Sequence, residues 1–265
     1  MSALLSEKTG PIVTLTLNRP ESRNPLGEEG DGDLFADAVA RINADREVRC
    51  VILTGAGPAF SAGGNVKAMR ERSGSFAGAG VHIRERYRNG IHRIVRSLWG
   101  VEVPMIAAVN GPAIGLGNDV ACLADMRVAA DTAIFGATFL RIGLVPGDGG
   151  SWILPRTIGH ARAAELFFTG DTIDAQTALS WGLVSRVVPA AQLMEEARSL
   201  AARICRQPPD VLRMTKRMMR DGQSVSFDTI MEMSASMQAL AHLTEDHREA
   251  VTAFFEKRPG DFKGR

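Results

Sequence analysis

Apolar residues in the first 190 positions alternate between short unbroken runs and spaced patterns. Residues 12–17 alternate apolar side chains with threonine, which predicts a strand with one buried face. Residues 48–54 and 105–109 are largely apolar, as expected for strands that are covered on both faces. Apolar side chains at helical spacing predict helices between the strands. The other predicted strands are 126–130, 133–135 and 183–188, and the predicted helices are 34–42, 81–99, 160–168 and 173–181.

Two segments have no regular pattern. Residues 21–32 are acidic and contain three glycines, so we expect irregular chain there. Residues 68–80 are polar and glycine-rich, which predicts a mobile loop.

The pattern becomes almost entirely helical after residue 190. This shift predicts an α/β core at residues 1–190 and a helical region at residues 191–265. The long apolar face of residues 225–256 needs a partner, and self-association would bury it.

Two glycine-rich turns follow predicted strands, one around residues 62–66 and one at residues 111–119. Glycine lets a ligand approach the main chain closely, and a helix N-terminus presents unpaired N–H groups. Two such N–H groups aimed at one oxygen would form an oxyanion hole. The alternative is a pair of plain tight turns. A dinucleotide site is disfavoured, because Val120 and Phe60 stand where its third glycine is needed.

Two carboxyl groups lie next to glycine-rich turns and are candidates for proton transfer. Asp119 comes two residues after Gly117, and Asp148 stands between Gly147 and Gly149. Burial or a neighbouring charge would tune either group for acid/base work. The structural alternatives are dipole compensation at a helix start for Asp119 and a helix cap for Asp148.

Composition narrows the function classes. The 31 basic and 30 acidic residues give a net charge of +1, which offers no general attraction to nucleic acid or to an anionic membrane. Three cysteines are too few for a disulfide framework, and no apolar run has transmembrane length. The five histidines lack metal-site spacing, so we expect no metal. The N-terminus lacks a signal pattern, which predicts a cytoplasmic protein.

Several spaced motifs resemble the crotonase superfamily, the enoyl-CoA hydratase/isomerase family. The similarity runs from about residue 12 to the C-terminus, and its most specific pieces are residues 60–67, 104–125, 135–136, 142–147, 169–170, 178–184 and 253–259. The resemblance implies a crotonase-like spiral of ββα units with a C-terminal helical region that builds a homotrimer or a dimer of trimers. It also implies an acyl-CoA thioester substrate and no separate cofactor, since coenzyme A arrives with the substrate.

The resemblance also assigns residues. The oxyanion hole maps to the main-chain N–H groups of Gly64 and Leu116, and Phe139 maps to the acyl pocket together with residues 68–100. The coenzyme A contacts map to the neighbourhoods of Arg23, Ala62, Asn65 and Val66, with Phe254 and Lys257 contributing from the C-terminal end, in one reading that of a neighbouring subunit.

The chain departs from the hydratase pattern at the acids. The first hydratase glutamate maps to Asp119 and the second to Phe139, which cannot transfer a proton. Some isomerases and the dehalogenase branch carry an acidic residue at the position of Gly147, and here Asp148 is adjacent. The resemblance therefore implies an enoyl-CoA hydratase/isomerase with Asp119 and Asp148 as acid/base candidates. Hydratase is the general label, and hydration and double-bond isomerisation both stay open. The alternatives are a dehalogenase, a thioester hydrolase, or a non-catalytic homologue that binds acyl-CoA or RNA.

Overall fold

A computed structural model describes residues 2–265 of the chain. The strands are β1 Leu4–Thr9, β2 Ile12–Leu17, β3 Pro25–Leu26, β4 Cys50–Gly55, β5 Gly63–Gly64, β6 Met105–Val109, β7 Ala113–Ile114, β8 Met126–Ala130, β9 Ile134–Gly136, β10 Thr172–Asp174 and β11 Arg186–Val188. The helices are α1 Asp31–Ala44, α2 Val66–Glu71, α3 Gly80–Asn89, α4 Ile91–Trp99, α5 Leu116–Leu123, α6 Gly150–Ile158, α7 His160–Thr169, α8 Ala175–Ser180, α9 Leu193–Ile204, α10 Pro209–Asp221, α11 Phe227–Leu243 and α12 Glu245–Glu256. Short 3-10 segments cover Pro20–Ser22, Gly74–Phe76, Thr138–Ile142 and Ala190–Gln192.

A six-stranded sheet in the order β1-β2-β4-β6-β8-β11 forms the centre of the fold. Only β1 and β2 pair antiparallel, and the later strands are parallel. All five residues of β6 are buried, because the main core covers one face of the sheet and α9 covers the other. The prediction of central strands covered on both faces is confirmed.

Short second strands give the fold its repeating ββα units. After β2, β4, β6 and β8 the chain forms β3, β5, β7 and β9, and the first three of these short strands each lead to a helix. The short strands pair among themselves, β3 with β5 and β7 with β9, so each turn of the chain stacks on the previous one. The α/β spiral of ββα units that the family resemblance implied is confirmed.

Several predicted boundaries are wrong. Residues 21–32 contain β3 and the start of α1. The first residues of the loop predicted at 68–80 belong to α2. This helix begins at Val66 because the Asn65 side chain accepts a hydrogen bond from the Ala68 N–H at 3.0 Å. The helix predicted at 81–99 is divided at Gly90 into α3 and α4.

Two further predictions concern the segment between α7 and α9. The predicted strand at 183–188 is reduced to β11, because the N–H groups of Leu183 and Val184 bond to Ala178 in the turn after α8. The helix predicted at 173–181 is α8, which begins after Asp174 because the Asp174 carboxylate accepts a hydrogen bond from the Thr177 N–H at 2.8 Å.

The C-terminal helices differ in how much of their surface the chain itself covers. Helix α9 packs on the large sheet, whereas α11 has no buried residue within this chain. The large exposed apolar side chains of α11 and α12 include Phe227, Met231, Leu240, Leu243, Val251, Phe254 and Phe255. The boundary near residue 190 stays a prediction. Among the described residues, no helix combines the length and apolar character needed to cross a membrane.

Candidate active site

The two glycine-rich turns lie against each other. The Ile114 N–H donates to the Ser61 carbonyl at 3.0 Å, and the Ser61 N–H donates to the Pro112 carbonyl at 3.0 Å. This approach requires glycine at position 117, because a Cβ there would overlap the Ser61 carbonyl oxygen. The two glycine-rich turns predicted after two neighbouring strands therefore form one structural feature, a pair of turns in direct contact.

Gly64 and Leu116 border the same cavity. Leu116 is the first residue of α5, so its N–H has no acceptor inside the helix. The preceding Gly115 has φ 54° and ψ −120°, a conformation that glycine adopts readily. A Cβ on Gly63 would come within 3.3 Å of the Leu116 nitrogen, so the strand that carries Gly64 runs beside the start of α5. The oxyanion-hole role of the two N–H groups stays a prediction.

The cavity between these turns has a volume of about 120 Å³. Its wall is mostly apolar, and the ionisable side chains on it are those of Asp148 and Tyr87. Phe139 lies in a 3-10 segment and also borders the cavity, as expected for a residue of the acyl pocket. An apolar wall around one carboxyl group suits a reaction in which charge develops away from water.

Asp148 faces the cavity from the loop before α6. Its side chain is buried, and its Oδ1 has no hydrogen-bond partner among residues 2–265. Burial raises the pKa of Asp148 to about 7. The residue that precedes α6 is Gly149, and no side chain caps this helix. The alternative interpretation of Asp148 as a helix cap is therefore wrong.

Asp119 lies behind the cavity and is not part of its wall. Its carboxylate is fully buried and accepts a hydrogen bond from the Gly150 N–H, the first of α6, at 3.0 Å. A Cβ at position 150 would overlap this carboxylate, so glycine is required there. Burial, with the nearby charge of Asp148 as a second cause, raises the pKa of Asp119 to about 8.

Unpartnered polar atoms concentrate at this site. Among the described residues, the buried side-chain oxygen and nitrogen atoms without a hydrogen-bond partner belong to Asn118, Asp119 and Asp148. Buried polar groups are usually paired, and of these three residues only Asp148 borders the cavity, so its free oxygen marks the place where a ligand or a transferred proton completes the bonding. Asn118 was not predicted from the sequence, where its position beside Asp119 is the only signal for it.

The residues predicted to contact coenzyme A fall into three groups. Ala62 and Val66 border the cavity. Arg23 lies near them, because its carbonyl accepts from the Ala62 N–H at 2.8 Å. The Asn65 side chain accepts from the Ala68 N–H and donates to the Glu28 carboxylate. Phe254 and Lys257 lie at the end of α12 and are not brought to the cavity by this chain.

A larger groove of about 630 Å³ adjoins the cavity. Val66, Met69 and Tyr87 border both spaces. Met69 lies over the predicted oxyanion hole, because a Cβ on Gly64 would come within 2.8 Å of its methyl group. Another cleft, of about 1050 Å³, lies elsewhere and includes none of the predicted site residues. Within residues 2–265, no group of three or more His, Cys, Asp or Glu side chains has the arrangement of a metal site.

Comparison with known proteins places the chain among acyl-CoA enzymes. The family described as enoyl-CoA hydratase/isomerase matches residues 7–265. The chain is 35% identical to 1,2-epoxyphenylacetyl-CoA isomerase of Escherichia coli K12, over 100% of both chains. It is also 35% identical to crotonyl-CoA hydratase of Syntrophomonas wolfei, over 98% of this chain and 97% of that one. The crystal structure of an enoyl-CoA hydratase from Bacillus anthracis is similar with a TM-score of 0.92 and 33% identity, covering 100% of both chains.

Proposed function

Because the chain belongs to the enoyl-CoA hydratase/isomerase family, we propose that it moves a carbon–carbon double bond in an acyl-CoA thioester. The observation that supports this reaction is the cavity wall, where one carboxyl group, Asp148, faces the turns that carry Gly64 and Leu116. A double-bond shift needs one group that removes a proton and returns it. Hydration by two acids asks for a second group, and the family resemblance maps that position to Phe139, which borders the cavity.

The proposed reaction uses the main-chain N–H groups first. The thioester oxygen accepts hydrogen bonds from Gly64 and Leu116, which stabilise the negative charge that forms on it. The Asp148 carboxylate removes a proton from C2 of a 3-enoyl-CoA, and the electron pair forms a dienolate. The same proton is returned to C4, the double bond moves to C2–C3, and Asp148 is again ionised. No oxidant or separate cofactor enters this balance.

Asp119 is a positioning group in this proposal. Its hydrogen bond to the start of α6 connects α5, which begins with Leu116, to the helix that follows Asp148. The two halves of the site are thereby held at a fixed separation. Its raised pKa keeps it mostly protonated at pH 7, so it adds little negative charge beside Asp148.

Hydration is the second candidate. Asp119 and Asp148 are close enough for the charge of one to raise the pKa of the other, and both values lie near neutrality. A water molecule that reached this pair would meet two groups able to exchange protons. The similarity to a protein named crotonyl-CoA hydratase supports hydration as this second candidate.

A turnover assay separates the candidates. The purified protein is given crotonyl-CoA, a trans-3-enoyl-CoA and saturated CoA esters, and the products are resolved by mass. We expect a double-bond shift without a mass change. A gain of one water would support hydration, and loss of the acyl group would support a thioester hydrolase. Binding of acyl-CoA without turnover of any ester would contradict the enzyme proposal and support a non-catalytic homologue.

The coenzyme A moiety is proposed to lie along the turns at Arg23, Ala62, Asn65 and Val66. Ala62 and Val66 border the cavity, which supports this path. Phe254 and Lys257 are proposed to contribute from a second copy of the chain, because their own chain leaves them away from the cavity.

Self-association of the C-terminal helices is expected to give a homotrimer or a dimer of trimers. The side chains of Leu240 and Leu243 are 57% and 73% exposed in the single chain, and burial against another copy would remove them from water. Light scattering after gel filtration should give a trimer or hexamer mass for the wild type. The double variant Leu240→Glu/Leu243→Glu should shift to smaller species, whereas Val81→Glu, on exposed α3, should not. A monomeric wild type at micromolar concentration would contradict this prediction.

A further inference from the structure

Tyr87 is the only tyrosine of the chain, and it borders the catalytic cavity. It lies on α3 and also borders the adjoining groove, so its ring stands where the two spaces meet. It falls within the helix predicted at 81–99, where apolar side chains recur at helical spacing. The proposed double-bond shift does not use its hydroxyl group.

Aromatic contacts fix the Tyr87 ring. Phe76 packs against it edge-on with ring centroids 6.5 Å apart, and His92 does so at 5.8 Å. The His92 Nε2 lies 2.9 Å from the Gly147 carbonyl oxygen, the hydrogen-bond distance for a donating ring nitrogen. The ring is therefore tied to the segment that carries Asp148.

The hydroxyl end of the ring lies near the reacting groups. A Cβ on Gly147 would be 4.0 Å from Tyr87 Cε1, the ring carbon next to the one that bears the oxygen. Burial and the charge of Asp148 raise the pKa of Tyr87 to about 12, so the phenol stays a neutral hydrogen-bond donor at physiological pH. Within residues 2–265 this hydroxyl makes no side-chain hydrogen bond of its own.

The wall around the hydroxyl is mostly apolar, and its other polar side chains, Thr138 and Asp148, are not hydrogen-bonded to it. Ile114, Phe139 and Leu144 are among the apolar residues of the same wall. A hydrocarbon chain that fills the cavity would cover the hydroxyl and leave it unpaired, whereas a chain with an oxygen atom would accept its hydrogen bond. A hydrogen-bonding group that the bound ligand covers discriminates between ligands that do and do not pair with it.

We propose that the Tyr87 hydroxyl donates a hydrogen bond to an oxygen atom on the acyl chain of the substrate. The preferred substrates are then acyl-CoA esters with a hydroxyl, oxo or epoxide oxygen near the reacting carbons. This substrate class rests on the proposed function of the same cavity, because it assumes that the acyl group enters there. Tyr87 becomes a specificity-determining residue.

Binding of saturated esters tests the hydrogen bond without turnover. Calorimetry compares 5-hydroxyhexanoyl-CoA with 5-methylhexanoyl-CoA, in which a methyl group of similar size replaces the hydroxyl, and repeats the comparison with the oxygen at C6. We expect the wild type to prefer a hydroxy ester by about ten- to hundredfold in Kd. In Tyr87→Phe, which keeps the ring, this preference should fall at least about tenfold, with the methyl ester bound about as before.

Phe76→Leu is the matched control, because it removes a ring contact of Tyr87 and leaves the hydroxyl. A merely structural role would make Tyr87→Phe weaken both ester classes alike, as we expect of the control. Equal binding of both classes by the wild type at both oxygen positions, or an unchanged preference in Tyr87→Phe, would overturn the proposal. Failure of the proposed function appears separately, as loss of the double-bond shift on 3-enoyl-CoA while the binding preference persists.

Discussion

Replacing Asp148 with asparagine is expected to lower kcat for the double-bond shift by about 10²–10⁴-fold. Asparagine is similar in size but neither removes nor returns a proton. Asp148 is the carboxyl group on the cavity wall, so no other acid is placed to substitute for it directly. Steady-state turnover of a trans-3-enoyl-CoA measures the effect. A loss smaller than about threefold would remove Asp148 from the proposed reaction.

Asp119→Asn is the matched comparison for Asp148→Asn. Asp119 is buried behind the wall, and asparagine can still accept the Gly150 N–H through its side-chain oxygen. We therefore expect a smaller loss, about tenfold or less. A loss equal to that of Asp148→Asn would instead assign proton transfer to the pair as a unit, which is the situation that hydration requires.

The pH dependence of the two variants distinguishes their roles. Since Asp148 acts as a base with a pKa of about 7, kcat/KM of the wild type should rise with pH and level off above neutrality. Asp119 has a pKa of about 8 and still holds its proton while Asp148 titrates. Asparagine resembles that protonated form, so Asp119→Asn should keep the midpoint near 7. A midpoint moved by more than about one unit would show that Asp119 is ionised during turnover.

The same pKa values give the sign of a stability effect. Both carboxyl groups have pKa values above the ordinary 3.8, so the native state binds their protons more tightly than the unfolded state does. The free energy of unfolding should then fall as pH rises from about 4 to 8. Urea unfolding at pH 8.5 should find Asp148→Asn at least as stable as the wild type, which excludes unfolding as the cause of its lost activity. Lower stability of the variant at pH 8.5 would contradict the assigned burial cost.

The features that could be predicted from the sequence are those that depend on residues close together in the chain. The unbroken apolar run of β6 has few alternatives to a strand covered on both faces, and the paired glycine turns need close main-chain approach wherever the rest of the chain lies. The resemblance added the order of the elements and the positions of Gly64 and Leu116. These features follow from local pattern and from motif spacing.

Contacts between segments that are far apart in the chain could not be predicted from the sequence. Asp119 and Gly150 are 31 positions apart, and only the packing of α6 against α5 shows why glycine stands at 150. Tyr87 falls at the same helical spacing as its apolar neighbours, so the sequence gives no sign that its hydroxyl lies beside the loop that carries Asp148. Helix α2 was missed because its start depends on the Asn65 cap rather than on an apolar pattern.

The predicted oxyanion hole can be tested by removing one main-chain N–H, since Leu116 is the first residue of α5. Proline is well tolerated at this helix position, where its missing N–H breaks no intrahelical bond. Leu116→Pro therefore deletes the predicted donor without breaking an intrahelical hydrogen bond. The change also removes a buried leucine side chain, and Leu116→Ala is the control that loses most of this side chain and keeps the N–H.

Both variants should lose roughly 2–5 kcal/mol of unfolding free energy, because each leaves space in the core. Only Leu116→Pro should also lose about 10²–10³-fold in kcat relative to Leu116→Ala, the usual effect of one missing oxyanion donor. The loss should appear in kcat more than in KM, because the N–H bonds most strongly to the charged oxygen of the dienolate. Equal kcat values would mean that the thioester oxygen lies elsewhere. Such a result would also mean that the enolate implied by the family resemblance does not form in the cavity at Asp148.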